Sequence, residues 1–130
     1  MIRYDSGTKQ IQINRGDATT LNVTAKDKYK NPYTFQVGEI VGIKITSKKD
    51  EEDVILEKEV EVEEETTVVQ IPLTTAEMKI GEIINKPVTY WYEIYIDASG
   101  EVQTIIGYDE EGPKEFVLNP EASEVGDNNA

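Results

Sequence analysis

The sequence predicts an all-β protein, an antiparallel sandwich of about seven to nine short strands. Three observations predict it. Apolar residues alternate with polar ones at period 2 from end to end, helical periodicity is nearly absent, and turn residues separate the alternating runs at short spacing. With 130 residues the chain is one domain's worth. A domain of that size buries enough surface to fold without disulfides or metals.

Ile11 and Ile13 alternate with Gln12 and Asn14, and Arg15-Gly16-Asp17 closes the run as a turn. Leu21, Val23 and Ala25 share one face of the next strand. Asp27 to Pro32 is a polar turn, and Tyr33-Thr34-Phe35 follows it. Val41, Ile43 and Ile45 form a third inward row, with Gly42 and Lys44 pointing away. Ser47 to Asp53 is wholly polar and reads as a loop.

The clearest pattern sets Leu56, Lys58, Val60 and Val62 on one face and Glu57, Glu59, Glu61 and Glu63 on the other. Only a strand puts these carboxylates on a single side. Val69, Ile71 and Leu73 begin another strand. Thr74 to Gly81 is the one helical candidate, a short connector of about two turns. Its Thr74 stands as N-cap with Glu77 three residues on, and Gly81 closes it. Thr89 to Ile96 is the most aromatic strand. Asp97 to Gly100 is a turn, Thr104, Ile106 and Tyr108 follow, and Phe116 and Leu118 end the pattern. These last three strands read as a meander. Residues 1–118 form the domain, and the small, acidic segment 119–130 is expected to be a flexible tail.

Composition narrows function. The absence of Cys and His removes the thiolate nucleophile, the imidazole base and the commonest zinc ligands. There is no glycine-rich phosphate loop and no nucleophile elbow. Carboxylates are plentiful but lie in exposed runs, so no catalytic residue, metal or cofactor is expected. The acidic stretches at Asp50 to Asp53 and Asp109 to Glu111 read as solvated turns, not as calcium loops. A net charge of −13 disfavours a nucleic-acid partner. No apolar run approaches the ~20 residues of a membrane helix, and the N-terminus lacks a signal-like apolar region, so synthesis in the cytoplasm is expected.

Arg15-Gly16-Asp17 matches an integrin-recognition tripeptide, and Asn22-Val23-Thr24 a glycosylation acceptor. Ordinary turn chemistry and a mid-strand position account for them better. The glutamate ladder acts either as protection against edge-to-edge pairing or as a surface for a basic partner, and the first is preferred. If Tyr90, Tyr92, Ile94 and Ile96 face the core, Trp91 and Tyr95 face outwards, where aromatic side chains anchor interfaces. A reversed register, or cover from residues 29–35, would hide them. Trp91, Tyr95 and Glu93, with Tyr33 and Phe35, are the candidate protein-interaction residues.

Several phrases resemble small structural proteins of phages and prophages of Gram-positive bacteria. Gln12 to Asp17 running into Thr20-Leu21-Asn22-Val23, and Asn31 to Phe35 before Gly38, are similar to their opening. Lys79-Ile80-Gly81-Glu82, Asn85-Lys86-Pro87-Val88, Tyr90 to Ile94 and Thr104 to Asp109 are similar to later parts. The chain is more loosely similar to the N-terminal domain of siphophage baseplate upper proteins. The resemblance implies an immunoglobulin-like sandwich acting as a non-enzymatic virion component: a tail or baseplate docking module, a head decoration or a fibre-base protein. Its implied partners are other virion proteins, a tail hub or capsid protein, with many copies in one assembly and neither nucleic acid nor membrane. The competing expectation is a carbohydrate-binding module using Trp91, Tyr92 and Tyr95 as a stacking platform for host attachment.

Overall fold

Period-2 alternation becomes strand almost wherever it occurs. The computed structural model describes residues 3–4, 7–26, 29–47, 53–81, 84–107 and 112–120. Among them lie nine strands: β1 (Arg3–Tyr4), β2 (Ile11–Asn14), β3 (Thr19–Val23), β4 (Ile40–Thr46), β5 (Val54–Glu61), β6 (Val69–Leu73), β7 (Val88–Ala98), β8 (Glu101–Ile106) and β9 (Lys114–Asn119). The tail at 121–130 and most of the two acidic turns lie outside the described residues.

The strands form two sheets. One has seven strands in the order β1-β2-β9-β7-β4-β5, with β8 also paired to β7, and the other is the pair β3-β6. Both feed one apolar core. Ile11, Ile13, Val41, Ile43, Ile45, Ile94, Phe116 and Leu118 come from the large sheet; Leu21, Val23, Val69, Ile71 and Leu73 come from the small one. Each such side chain taken from water contributes roughly 1.5–3 kcal/mol, so this shared core holds the two sheets together.

Three expectations are corrected. The large sheet is mixed and not purely antiparallel, because β2 and β9 run parallel, with Ile11 opposite Phe116 and Asn14 opposite Asn119. The two ends of the pattern meet, which local alternation cannot encode. Nor do the last strands form a meander. β7 is eleven residues long, and β9 pairs with its first half (Val88 to Tyr92) while β8 pairs with its second (Ile94 to Ala98). The hairpin turns at Ser99 and Gly100, both at positive φ, where the Gly100 amide donates to Asp97 Oδ1 at 2.9 Å.

The third correction is the connector after β6: no helix forms there. The capping box is present, with the Thr74 amide donating to Glu77 Oε1 (2.9 Å) and the Glu77 amide to Thr74 Oγ1 (3.2 Å). One turn closes through Met78 N to Thr74 O at 3.0 Å. Then the carbonyls bond elsewhere. Met78 O accepts from the Gly16 amide (3.1 Å), and the Arg15 guanidinium donates to Ile80 O (3.1 Å), Gly81 O (3.1 Å) and Lys79 O (3.4 Å). Met78 and Ile80, two residues apart, are both buried, which suits an extended chain and not a helix. Arg15 itself is buried. The arginine of the Arg-Gly-Asp tripeptide is thus spent inside the protein.

The predicted glutamate ladder is in place over Glu57, Glu59 and Glu61; the strand ends there, and Glu63, exposed, lies beyond it. β5 is an edge strand, with Glu57, Glu59 and Glu61 exposed and Leu56, Lys58 and Val60 half-buried on the other face. Lys58 crosses to the connector, its Nζ 2.8 and 3.0 Å from the two oxygens of Glu77.

Candidate interaction face

The outer face of the large sheet is set by register. Across β5, β4 and β7, Glu59 aligns with Gly42 and Gly42 with Tyr95; Glu57 aligns with Lys44 and Lys44 with Glu93; Thr46 aligns with Trp91. On the far side of β7, Trp91 lies opposite Glu115 of β9. Trp91, Glu93 and Tyr95 therefore share the outward face of one strand.

They are not equally available there. Tyr95 is only 6 % exposed although it points away from the core. Its ring lies across Gly42, and its hydroxyl reaches β5, donating towards Glu57 Oε2 at 2.6 Å and Glu59 Oε2 at 2.7 Å. A phenol carries one proton, so a single donor serves two carboxylates. Desolvation, followed by hydrogen bonding to Glu57 and Glu59, pushes the Tyr95 phenol far above its ordinary range. Two rungs of the glutamate ladder, exposed to water, therefore also hold an aromatic ring onto the sheet through its hydroxyl.

Glu93 is half-buried, its Oε1 3.8 Å from Lys44 Nζ. Trp91 is also half-buried, and Thr46 opposite it is buried. Beside Trp91, Glu115 accepts from Gln10 Nε2 at 2.8 Å. Among these three side chains, Trp91 is the aromatic group that offers area to a partner.

Tyr33 and Phe35 are not brought to this face. Phe35 is fully buried, its amide bonded to Thr66 O at 2.7 Å, and its ring meets that of Tyr33 edge-on at 5.2 Å. It is a core residue; placing it in a contact set is corrected by its burial. Tyr33 is half-buried, and its hydroxyl donates to Glu39 Oε2 at 2.7 Å. That bond, with desolvation and the charge of Glu39, raises its phenol as well.

The aromatic platform for sugar stacking is not assembled either. Tyr92 points inwards, 4 % exposed, with its hydroxyl donating to Lys9 O and its ring edge-on to Phe116 at 6.4 Å. Trp91, Tyr92 and Tyr95 do not share one exposed surface.

Sequence reasoning missed a second feature, on the opposite side of β7. Two clefts adjoin there against β7 and β8, one beside β3 and the other beside the residues that follow it. One, of about 340 Å³, is lined by Ile11, Leu21, Val23, Ile94 and Ile106 together with Thr20, Asn22 and Thr24. The other, of about 350 Å³, continues along Ala25, Lys26 and Tyr33 to Ile96, Gln103 and Ile105. β8 borders both, and its Val102 is 62 % exposed. The sequence signal was the Glu101-Val102-Gln103-Thr104 run, strand-forming but poor in charge. Compared with protein-family models, curated proteins and solved structures, the chain matches none of them.

Proposed function

We propose that this protein is a non-enzymatic structural component of a phage particle, an immunoglobulin-like sandwich that docks onto larger particle proteins. The strand order is the observation that carries the fold part of the reading. β2-β9-β7-β4-β5 facing β3-β6, with β2 parallel to β9, follows the arrangement of a variable-type immunoglobulin sandwich with a reduced second sheet. The phrases spread over residues 11–118 supply the phage setting.

A binding role draws support from the surface. Among the described residues the buried polar side chains are Arg15, Thr46 and Lys114, so no carboxylate sits in the desolvated environment that a general acid needs. What the surface offers is contact area: the half-exposed Trp91 face, the projecting β7–β8 hairpin and the seam behind it. Mass spectrometry of purified particles tests the proposal. The chain is expected among the virion proteins, and its absence from them overturns the reading. Antibody labelling of intact particles then separates a head position from a tail or baseplate position.

A further inference from the structure

Every open sheet presents strand edges, and an unguarded edge pairs with any extended chain that reaches it. Three edges here are blunted or short. β5 carries Glu57, Glu59 and Glu61, and β1 has only two residues. β6 carries Pro72 in its middle, opposite Thr20. Among the described residues β3 carries no such device, and it borders the cleft lined by Ile11, Ile94 and Ile106.

The orientation of the β3 edge follows from Pro72. Proline has no N–H, so the Thr20–Pro72 pair takes the non-hydrogen-bonded position of the ladder, and by alternation so does Asn22–Gln70. The N–H and C=O groups of Thr20 and Asn22 then point away from β6, towards the cleft side. There the floor is apolar: Ile11, Ile94 and Ile106 of the large sheet, flanked by Leu21 and Val23. Among the described residues no third strand flanks β3 on this side, and Ile106 is the floor residue left half-buried.

We propose that this seam is a strand-accepting site, in which an extended segment of a partner protein pairs with the β3 edge and sets alternate apolar side chains into the cleft. Main-chain bonds to Thr20 and Asn22 give the pairing, and the cleft selects small branched side chains at every second position. The net charge of −13 steers a segment flanked by basic residues, and repels a second copy of this chain. The site depends only on the fold, so it stands apart from the virion assignment.

The test uses the full chain and a nine-residue synthetic peptide of alternating valine and threonine between lysine pairs. A second peptide of the same composition is N-methylated on the amides of one edge. Binding by the first peptide is expected to slow amide exchange at Thr20 and Asn22 tenfold or more, without slowing it along β5. N-methylation is expected to weaken binding at least tenfold, since it removes main-chain donors while charge and side chains are unchanged. Equal binding of both peptides, protection elsewhere, or no binding at millimolar peptide overturns the proposal. Self-association of the protein with the same two amides protected overturns the choice of partner in favour of a second copy.

Discussion

The ring of Tyr95 lies directly over the Cα of Gly42, so close that a β-carbon built on Gly42 would stand 2.6 Å from the ring's Cζ and from its hydroxyl oxygen. Glycine at this position of β4 is therefore a packing requirement, since Gly42 carries no positive φ to explain it. Gly42→Ala forces the ring off the sheet and away from Glu57 and Glu59. Overpacking of this kind costs about 1–3 kcal/mol. Urea denaturation should show the loss, and an unchanged midpoint would mean that the ring does not occupy this position.

Removing only the hydroxyl asks a different question. Tyr95→Phe keeps the ring over Gly42 but leaves Glu57 and Glu59 without their shared donor, at a cost of roughly 1 kcal/mol at neutral pH. The sign of the alkaline effect follows from the raised phenol. A group whose folded pKa lies above its unfolded value stabilises fully below the unfolded value, here 10.0, and that contribution is lost as pH rises beyond it. The parent protein should lose stability more steeply than Tyr95→Phe above pH ~10. Absorbance titration should show a late-ionising tyrosine that is missing from the variant.

Arg15 makes a further prediction. Its guanidinium reaches three successive carbonyls, Lys79 to Gly81, in a fork that an ammonium group cannot reproduce. Arg15→Lys should destabilise by about 2 kcal/mol, because the buried Ile80 carbonyl and the part-buried Lys79 and Gly81 carbonyls lose their donors. Hydrogen exchange should quicken in the 78–81 segment before it does in β4. If exchange there is unchanged, Arg15 does not staple the connector.

How far these relationships could be read in advance depended on their range. Alternation placed Ile11, Ile13, Val41, Ile43, Ile45 and the Glu57–Glu61 ladder on their faces, because period 2 is local. The Thr74–Glu77 capping box was visible for the same reason. The clamp of Tyr95 by Glu57 and Glu59 was not, since it rests on a register between strands 36 and 38 residues apart. The fate of the connector was hidden for a similar reason: its carbonyls are taken by Arg15, more than sixty residues upstream. Phe35 was misplaced because Tyr33, Phe35 and Val37 share one alternating set, of which Phe35 is buried, Tyr33 half-buried and Val37 exposed, so period 2 does not show which of them enters the core.

Glu77 links the connector to acid stability. Its hydrogen bond to Lys58, then that from the Thr74 amide, lowers its pKa below the ordinary 4.5. A lowered folded pKa stabilises above the unfolded value and is lost as pH falls through the folded one. Glu77→Gln should therefore flatten the fall in melting temperature between pH ~5 and ~3 relative to the parent. Both side chains are about a quarter exposed, so the effect is to be read as a change of slope. Identical acid limbs in the two proteins would show that the Lys58–Glu77 pair contributes nothing.

The two guarded edges differ in kind, and salt separates them. The β5 edge is protected by charge, which 1 M salt screens to a range of about 3 Å. The β6 edge is protected by the missing N–H of Pro72, which salt does not touch. Pro72→Val restores a donor to the outer edge of β6 and leaves the β3–β6 bonds intact, because Thr20–Pro72 is the non-bonded pair. The variant should be as stable as the parent within ~1 kcal/mol. It should also self-associate more at every salt concentration, while the parent associates more only as salt is raised. Light scattering across a salt series reads both effects. A variant that stays like the parent throughout would show that Pro72 does not guard that edge, and β3 would no longer stand apart as the open edge of the small sheet.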